Sequence, residues 1–265
     1  MMTKKLAVVI NRKASSTEKV IDSIKSNLGE NGIKYDLLDI DNLKQGYDLV
    51  CAVGGDGTVL KSSRFYAKSA TPVMGINAGR LGFLSLITHS DAKSLGDIIK
   101  HEDYKVRDRL MLKSANLTAL NDFVVKGHSS IRTSKFNLYI NDKLVSDYIA
   151  DGIIVATPTG STAYGLSAGG PIVYPRLEAM VIVPICAHTM TARPLVVPAT
   201  EKIVIKSTED VLDVSADGQE KITELKEVTI EQYEYRAKLA FPKDYNFYPI
   251  LRNKLNWGVS PISEG

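Results

Sequence analysis

Apolar positions in the first hundred residues follow two periods. Unbroken runs at Leu6 to Ile10, around Tyr35 to Ile40, at Leu49 to Val53 and at Pro72 to Ile76 read as buried strands. Between them the spacing opens to that of a helix. Ser15-Ser16-Thr17-Glu18 offers a helix start, Val20, Ile21, Ile24 and Leu28 share one face, and Gly29 stands near the stop. A second helix is expected from about Thr58 to Ala67, and Ser90-Asp91 caps a third that buries Leu95, Ile98 and Ile99. Strands alternating with helices predict an α/β domain with a parallel, doubly wound sheet over residues 1–100.

Beyond Lys100 short alternating runs replace the helical ones. They lie at Arg109 to Lys113, Leu120 to Lys126, Phe136 to Ile140, Lys143 to Tyr148, Gly152 to Ala156, Lys202 to Lys206, Val211 to Ser215 and Glu227 to Ala240. Asn141-Asp142 supplies a hairpin turn between two of them. The pattern predicts an all-β domain over residues 101–240, a sandwich or related layered sheet, with one helical interruption at Pro175 to Met180. Residues 241–265 carry Leu251, Leu255 and Trp257 and are expected to pack back on the N-terminal domain, with Gly258 to Gly265 as a tail.

Two glycine-rich stretches do not fit these periods. In Val53-Gly54-Gly55-Asp56-Gly57-Thr58 an apolar strand runs into three glycines around one carboxylate, and a helix follows. Such a turn leaves bare backbone and a helix N-terminus facing outward, which suits phosphate. A carboxylate there repels phosphate unless a metal ion intervenes or it takes a proton from a hydroxyl attacking phosphorus. The alternative is an ordinary turn in which Asp56 caps the helix. Lys61 and Arg64 on that helix place cations near the turn.

The second stretch runs from Asp151-Gly152 through Thr157-Pro158-Thr159-Gly160-Ser161-Thr162-Ala163-Tyr164 to Ser167-Ala168-Gly169-Gly170-Pro171. Hydroxyls and bare amides recognise sugars and phosphates, and the Tyr164 ring can stack on a base. A structureless loop of this length in a compact domain is usually functional.

Composition narrows the classes. Thirty-three basic against thirty acidic residues leave a net charge of +3, without a long run of one sign, so nothing favours a nucleic-acid or membrane partner. Cys51 and Cys186 sit apart in apolar surroundings and are expected to be reduced and buried, as in a cytoplasmic protein. Asn11-Arg12-Lys13 cuts the first apolar run at five residues, too short for a signal segment or a span. Four histidines without H-x-x-x-H spacing predict no metal site built by the protein alone. The P-loop pattern is absent, and the first turn lacks the G-x-G-x-x-G of a dehydrogenase.

Together the two stretches resemble the ATP-dependent NAD kinase family. Gly54-Gly55-Asp56-Gly57-Thr58 alone is shared with diacylglycerol and sphingosine kinases and with relatives of phosphofructokinase; the Asp151 to Pro171 passage is the narrower signature. Asn77 to Leu84, Pro184 to Thr189, Arg193-Pro194-Leu195 and Leu251-Arg252 with Lys254 to Gly258 are further family-like passages, in the family's order. The resemblance implies transfer of phosphate from ATP, accompanied by Mg²⁺, to the 2′-hydroxyl of the adenosine ribose of NAD, giving NADP. It also implies a Rossmann-like first domain, a β-sandwich second domain and a homo-oligomer, a dimer or tetramer.

Roles follow by the same resemblance. Asp56 matches the proton acceptor, within a phosphate loop of Gly54, Gly55, Gly57 and Thr58; Gly57 keeps the backbone open to NAD, and Lys61 either neutralises phosphate or is a solvated surface lysine. Asn121 and Asp122 match a dinucleotide-binding pair that is usually Asn-Glu, so the acid here is one methylene shorter. Asp151 matches a contact to the nicotinamide-ribose half, and Thr159, Thr162, Ala163, Tyr164 and Ser167 line the adenine and nicotinamide subsites. Ile149 stands where many bacterial relatives carry Arg; Arg132 either replaces that charge or is an exposed strand residue. Gln219 falls in a turn that approaches the ligand in relatives, and His188 is either structural or adjacent to the ligand. A lipid kinase of the same superfamily and a non-catalytic dinucleotide sensor are the rival readings.

Overall fold

The computed structural model describes residues 4–11, 17–79, 82–88, 94–129 and 133–256. In chain order the elements are β1 (Leu6–Ile10), α1 (Thr17–Glu30), β2 (Tyr35–Asp39), β3 (Leu49–Gly54), α2 (Asp56–Tyr66), β4 (Val73–Asn77), α3 (Leu95–Lys100), β5 (Tyr104–Arg109), β6 (Leu112–Ser114), β7 (Leu117–Ala119), β8 (Asp122–Gly127) and β9 (Ser134–Ile140). There follow β10 (Lys143–Ala150), β11 (Gly152–Ala156), α4 (Tyr164–Ser167), β12 (Ala179–Ile185), β13 (Leu195–Pro198), β14 (Ile203–Lys206), β15 (Leu212–Ala216), β16 (Glu220–Leu225), β17 (Glu227–Gln232), β18 (Ala237–Pro242) and α5 (Phe247–Leu255). The chain divides into two compact units, Met1–Val59 with Val73–Arg107 and Ala240–Gly265, and Leu60–Pro72 with Asp108–Leu239.

The first unit is α/β. Its sheet has the order β2-β1-β3-β4-β18-β5, and β1 to β4 pair in parallel. β1, β3 and β4 are buried at every position, which is why they read as continuous apolar runs rather than alternating ones. Ile24 and Leu28 of α1 and Leu95 and Ile99 of α3 pack with Leu6, Cys51 and Met74 in one core. The parallel register sets Gly54 opposite Asn77, so the glycine turn emerges beside the segment that follows β4. α5 is capped by Asn246, whose side chain accepts from Tyr248 N at 3.1 Å, ends at Asn256 in the left-handed region, and buries Phe247 and Leu251.

The second unit is β-rich. One six-stranded sheet has the order β10-β9-β14-β17-β6-β7 and the other β13-β12-β11-β8-β15-β16. Phe136, Leu138, Ile203 and Ile205 of the first share a core with Phe123, Val125, Ile153 and Val155 of the second. The opposite face of β11 is buried against Val173, Val181 and Val183, so all five of its residues are inside. Asn141 and Asp142 both take positive φ, 47° and 63°, as the expected hairpin turn requires.

Several expectations need correction. Glu227 to Ala240 is two strands, because Tyr233 to Arg236 turn the chain and β18 joins the sheet of the first unit; alternating tyrosines mask that break. Pro175 to Met180 is not helical: pairing of Ala179 with Pro198 and Met180 with Val197 draws the apolar residues into β12. The helical turn lies instead at Tyr164–Ser167, inside the second glycine-rich stretch. Cys51 is buried, and burial pushes its thiol up to about 12, but Cys186 is exposed just past β12. The helix starts at Ser15 and Ser90, and the tail with Trp257, lie outside the described residues. No described helix is long and apolar enough to cross a membrane.

Phe136 is fully buried in the core shared by both sheets of the second unit. Its replacement, Phe136→Ala, should lower stability by about 3–5 kcal/mol, read as a shifted denaturant midpoint with unchanged slope.

Candidate active site

The glycine turn is built by steric exclusion. Gly54 closes β3 with φ 155°, and a Cβ there would overlap the Thr58 hydroxyl. Thr58 N donates to Gly55 O at 3.0 Å, so the first turn of α2 starts at Asp56. Gly55 faces open space, and Gly55 and Gly57 are both exposed. The backbone around Asp56 is therefore open to an approaching ligand.

Asp56 does not cap its own helix. Its carboxylate accepts from Phe83 N (2.8 Å), Leu84 N (3.2 Å), Ser85 N (3.0 Å) and Ser85 Oγ (2.8 Å). Gly82 is required next to it, since a Cβ would overlap the Asp56 carboxylate. Four donors hold the carboxylate in one orientation while the residue stays partly exposed. The sequence reading stopped at Leu84 and missed Ser85.

In the second unit, the hydroxyls of the glycine-rich stretch divide into two kinds. Thr157 Oγ1 donates to Leu120 O (2.6 Å) and accepts from Gly160 N (3.0 Å). Ser161 Oγ joins Pro158 O at 2.7 Å and Val173 N at 2.9 Å, and Thr162 Oγ1 donates to Thr159 O at 3.2 Å. Those three groups fold the loop. Among the described residues Thr159 Oγ1 is buried and has no hydrogen-bond partner, which is costly unless a ligand or a water satisfies it. Tyr164 stands 42% exposed at the start of α4, with Ala163 half-buried and Ser167 exposed beside it.

Asn121 and Asp122 lie against this loop. Thr157 N donates to Asn121 O at 2.8 Å, and a Cβ on Gly160 would overlap the Asn121 backbone. Asp217 holds the same turn from the other side, accepting from Leu120 N (3.1 Å), Asn121 N (2.7 Å) and Asp122 N (3.2 Å). Arg64 neutralises Asp217 through a 2.7 Å pair that is almost fully buried, and its other nitrogen meets Glu220 at 2.7 Å. Arg64 is therefore committed to Asp217, not a free cation for phosphate. Burial, aided by the Asp217 charge, pushes the Asp122 carboxyl up to about 7.

The other residues are less constrained. Lys61 is half-buried on α2, Asp151 and Gln219 are exposed, and Arg132 lies outside the described residues. Ile149 is 40% exposed, and its carbonyl accepts from His188 N at 2.8 Å. The side chain of His188 is exposed, and Arg193 folds back on Met190 O and Ala192 O. Among the described residues no three His, Cys, Asp or Glu side chains stand close enough to hold a metal ion.

A fixed carboxylate beside glycines that leave the backbone bare is the equipment of a nucleotide-dependent phosphotransferase. Residues 3–104 match the ATP-NAD kinase N-terminal domain and residues 120–240 the ATP-NAD kinase C-terminal domain. The chain belongs to the ATP-NAD kinase family. It is 40% identical over 255 residues to an NAD kinase of Clostridium botulinum (strain ATCC 19397 / Type A), covering 91% of this chain and 90% of that one. With an NAD kinase of Legionella pneumophila (strain Corby) the identity is 40% over 240 residues, 85% and 81% of the two chains. The crystal structure of an NAD kinase from Archaeoglobus fulgidus in complex with ATP matches with a TM-score of 0.76 at 27% identity, over 95% of this chain and 98% of the other. Yeast NADH kinase complexed with NADH shares the fold, with a TM-score of 0.86 at 21% identity over 98% and 89%.

Asp122 yields a pH test. Its folded-state carboxyl titrates near 7 against an ordinary value of 3.8, so its contribution to stability is present below the ordinary value and is lost as pH rises toward 7. Asp122→Asn should therefore be the more stable protein above pH 7, by up to about 4 kcal/mol, with the difference closing toward pH 4. Thermal midpoints measured across that range check it.

Proposed function

We propose that the chain transfers the γ-phosphoryl group of ATP to the 2′-hydroxyl of the adenosine ribose of NAD, giving NADP. The observation that carries this is the match of both halves to the ATP-NAD kinase domains, in a chain whose Asp56 is held by four donors on an open turn. A ribose hydroxyl is a weak nucleophile at neutral pH, and Asp56 accepts its proton as it attacks. Gly54, Gly55, Gly57 and Thr58 form the phosphate loop, and Lys61 neutralises phosphate charge.

The dinucleotide sits on the β-rich unit. Thr159 gives its unsatisfied hydroxyl to the adenine end, Tyr164 stacks on a ring, and Asn121, Asp122, Asp151, Thr162, Ala163, Ser167 and Gln219 complete the subsites, with Arg132 supplying the charge that Ile149 lacks. With its carboxyl near 7, Asp122 can donate as well as accept at neutral pH. Magnesium enters with the phosphates of ATP, as part of the donor. We read the first unit as Rossmann-like, the second as a β-sandwich, and the protein as a cytoplasmic homo-oligomer, a dimer or tetramer. The match of residues 120–240 disfavours a lipid kinase, which shares only the first motif. Retention of Asp56 disfavours a sensor, because binding alone needs no base.

Purified protein given NAD, ATP and Mg²⁺ should form NADP, detected with an NADP-specific dehydrogenase. Asp56→Asn should cut turnover by about 10²–10⁴-fold while leaving the calorimetric NAD affinity largely unchanged. Phosphorylation of diacylglycerol instead would favour the lipid kinase; NAD binding without turnover in the parent protein would favour the sensor.

A further inference from the structure

The two oxygens of Asp56 are unequal. Among the described residues, Oδ1 accepts three hydrogen bonds, from Leu84 N, Ser85 N and Ser85 Oγ, whereas Oδ2 accepts one, from Phe83 N. A carboxylate oxygen offers about two in-plane lone-pair sites, so Oδ1 is filled and Oδ2 keeps acceptor capacity.

The proton positions behind Oδ1 follow from chemistry. Ser85 is fully buried, and its one hydroxyl proton goes to the ionised Asp56, which has none to give. Its lone pair receives Asn77 Nδ2 at 3.2 Å. The Asn77 amide is oriented in turn by Gly79 N, which donates to its Oδ1 at 2.6 Å. A one-way chain therefore runs from Asn77 through Ser85 to Asp56 Oδ1. The pairing of Gly54 with Asn77 sets the β4 end of that chain beside the end of β3, two residues before Asp56.

We propose that Ser85 is a positioning residue for phosphoryl transfer: the chain from Asn77 through Ser85 holds Asp56 by Oδ1 and presents Oδ2 as the atom that takes the hydroxyl proton. This rests on the kinase reading, with Asp56 as acceptor. In the step, the acceptor O–H bond breaks as that oxygen bonds the γ-phosphorus. The proton moves to Oδ2, and the bond from phosphorus to the bridging oxygen breaks, its electron pair leaving with ADP. Without the Ser85 hydroxyl, two backbone donors remain on Oδ1, Asn77 Nδ2 loses its hydroxyl acceptor, and the carboxylate can swing.

The test compares Ser85→Ala, the size-conserving weak donor Ser85→Cys, and Ser85→Thr, by NADP formation, both KM values and thermal midpoint. Alanine and cysteine should lower kcat about tenfold with both KM values within about twofold, and threonine should restore most of the rate. In an Asp56→Asn background Ser85→Ala should cause no further loss. Parent-like kcat in both Ser85→Ala and Ser85→Cys, or an equal additional loss in the Asp56→Asn background, would overturn the proposal. So would a rate that follows the thermal midpoint without rescue by threonine. If Asp56→Asn itself keeps parent-like turnover, the kinase reading of Asp56 fails first; an essential Asp56 beside an indifferent Ser85 sinks this inference alone.

Discussion

The close approach of residues 82–85 to the end of β3 and the body of β4 is the constraint on which the first unit's chemistry depends. Gly75 has no room for a side chain: a Cβ would meet Leu84 O at 2.5 Å, Ser85 Cα at 2.8 Å and Val59 Cγ2 at 2.9 Å. Gly82 lies as tightly against Asp56, and Gly54 against Thr58. Gly75 and Gly82 thus let one backbone segment reach the Asp56 carboxylate, while Gly54 makes room for Thr58 where β3 turns into α2. Glycine costs conformational entropy on folding, roughly 0.5–1 kcal/mol relative to alanine within a strand, and four hydrogen bonds to an ionised group outweigh it.

The β-rich unit solves the same problem with a different balance. The Asp217 side chain is buried but satisfied, by three backbone donors and the Arg64 guanidinium. Asp122 is buried beside it with its carboxyl pushed up to about 7. Two neighbouring carboxyls therefore differ: Asp217 has the Arg64 guanidinium as partner, whereas burial first and the Asp217 charge second push the Asp122 carboxyl up. Loss of Arg64 would leave Asp217 as an unpaired buried charge, the costly case for an ion pair.

What could be read from the sequence depended on how far apart the interacting residues lie. β1, β3, β4 and β11 were legible because burial on both faces writes a continuous apolar run. β5 and β18 were not placed, since they join the first sheet from either end of the β-rich region and no local pattern encodes that pairing. The glycine turn announced itself through composition. Its clamp did not, because Asp56 and Ser85 are 29 positions apart, and the Arg64–Asp217 pair of the β-rich unit was hidden in the same way by a separation of 153. A serine or an arginine that completes a long-range hydrogen-bond set has no local signature.

The Asp151 to Pro171 passage shows why residue type alone does not assign a role. Its hydroxyls suggested a ligand surface as a group, yet Thr157, Ser161 and Thr162 direct theirs at the loop's own backbone or that of Leu120 and Val173. A loop that crosses a compact unit must satisfy its own backbone groups, and short hydroxyl side chains are the means. Only after those bonds are assigned does the Thr159 hydroxyl stand out, buried and without a partner among the described residues. The three committed hydroxyls build the shape of the loop, and Thr159 contributes to it by its backbone alone. The density of serine and threonine in such a motif therefore measures the cost of folding the loop more than the number of contacts it makes to substrate.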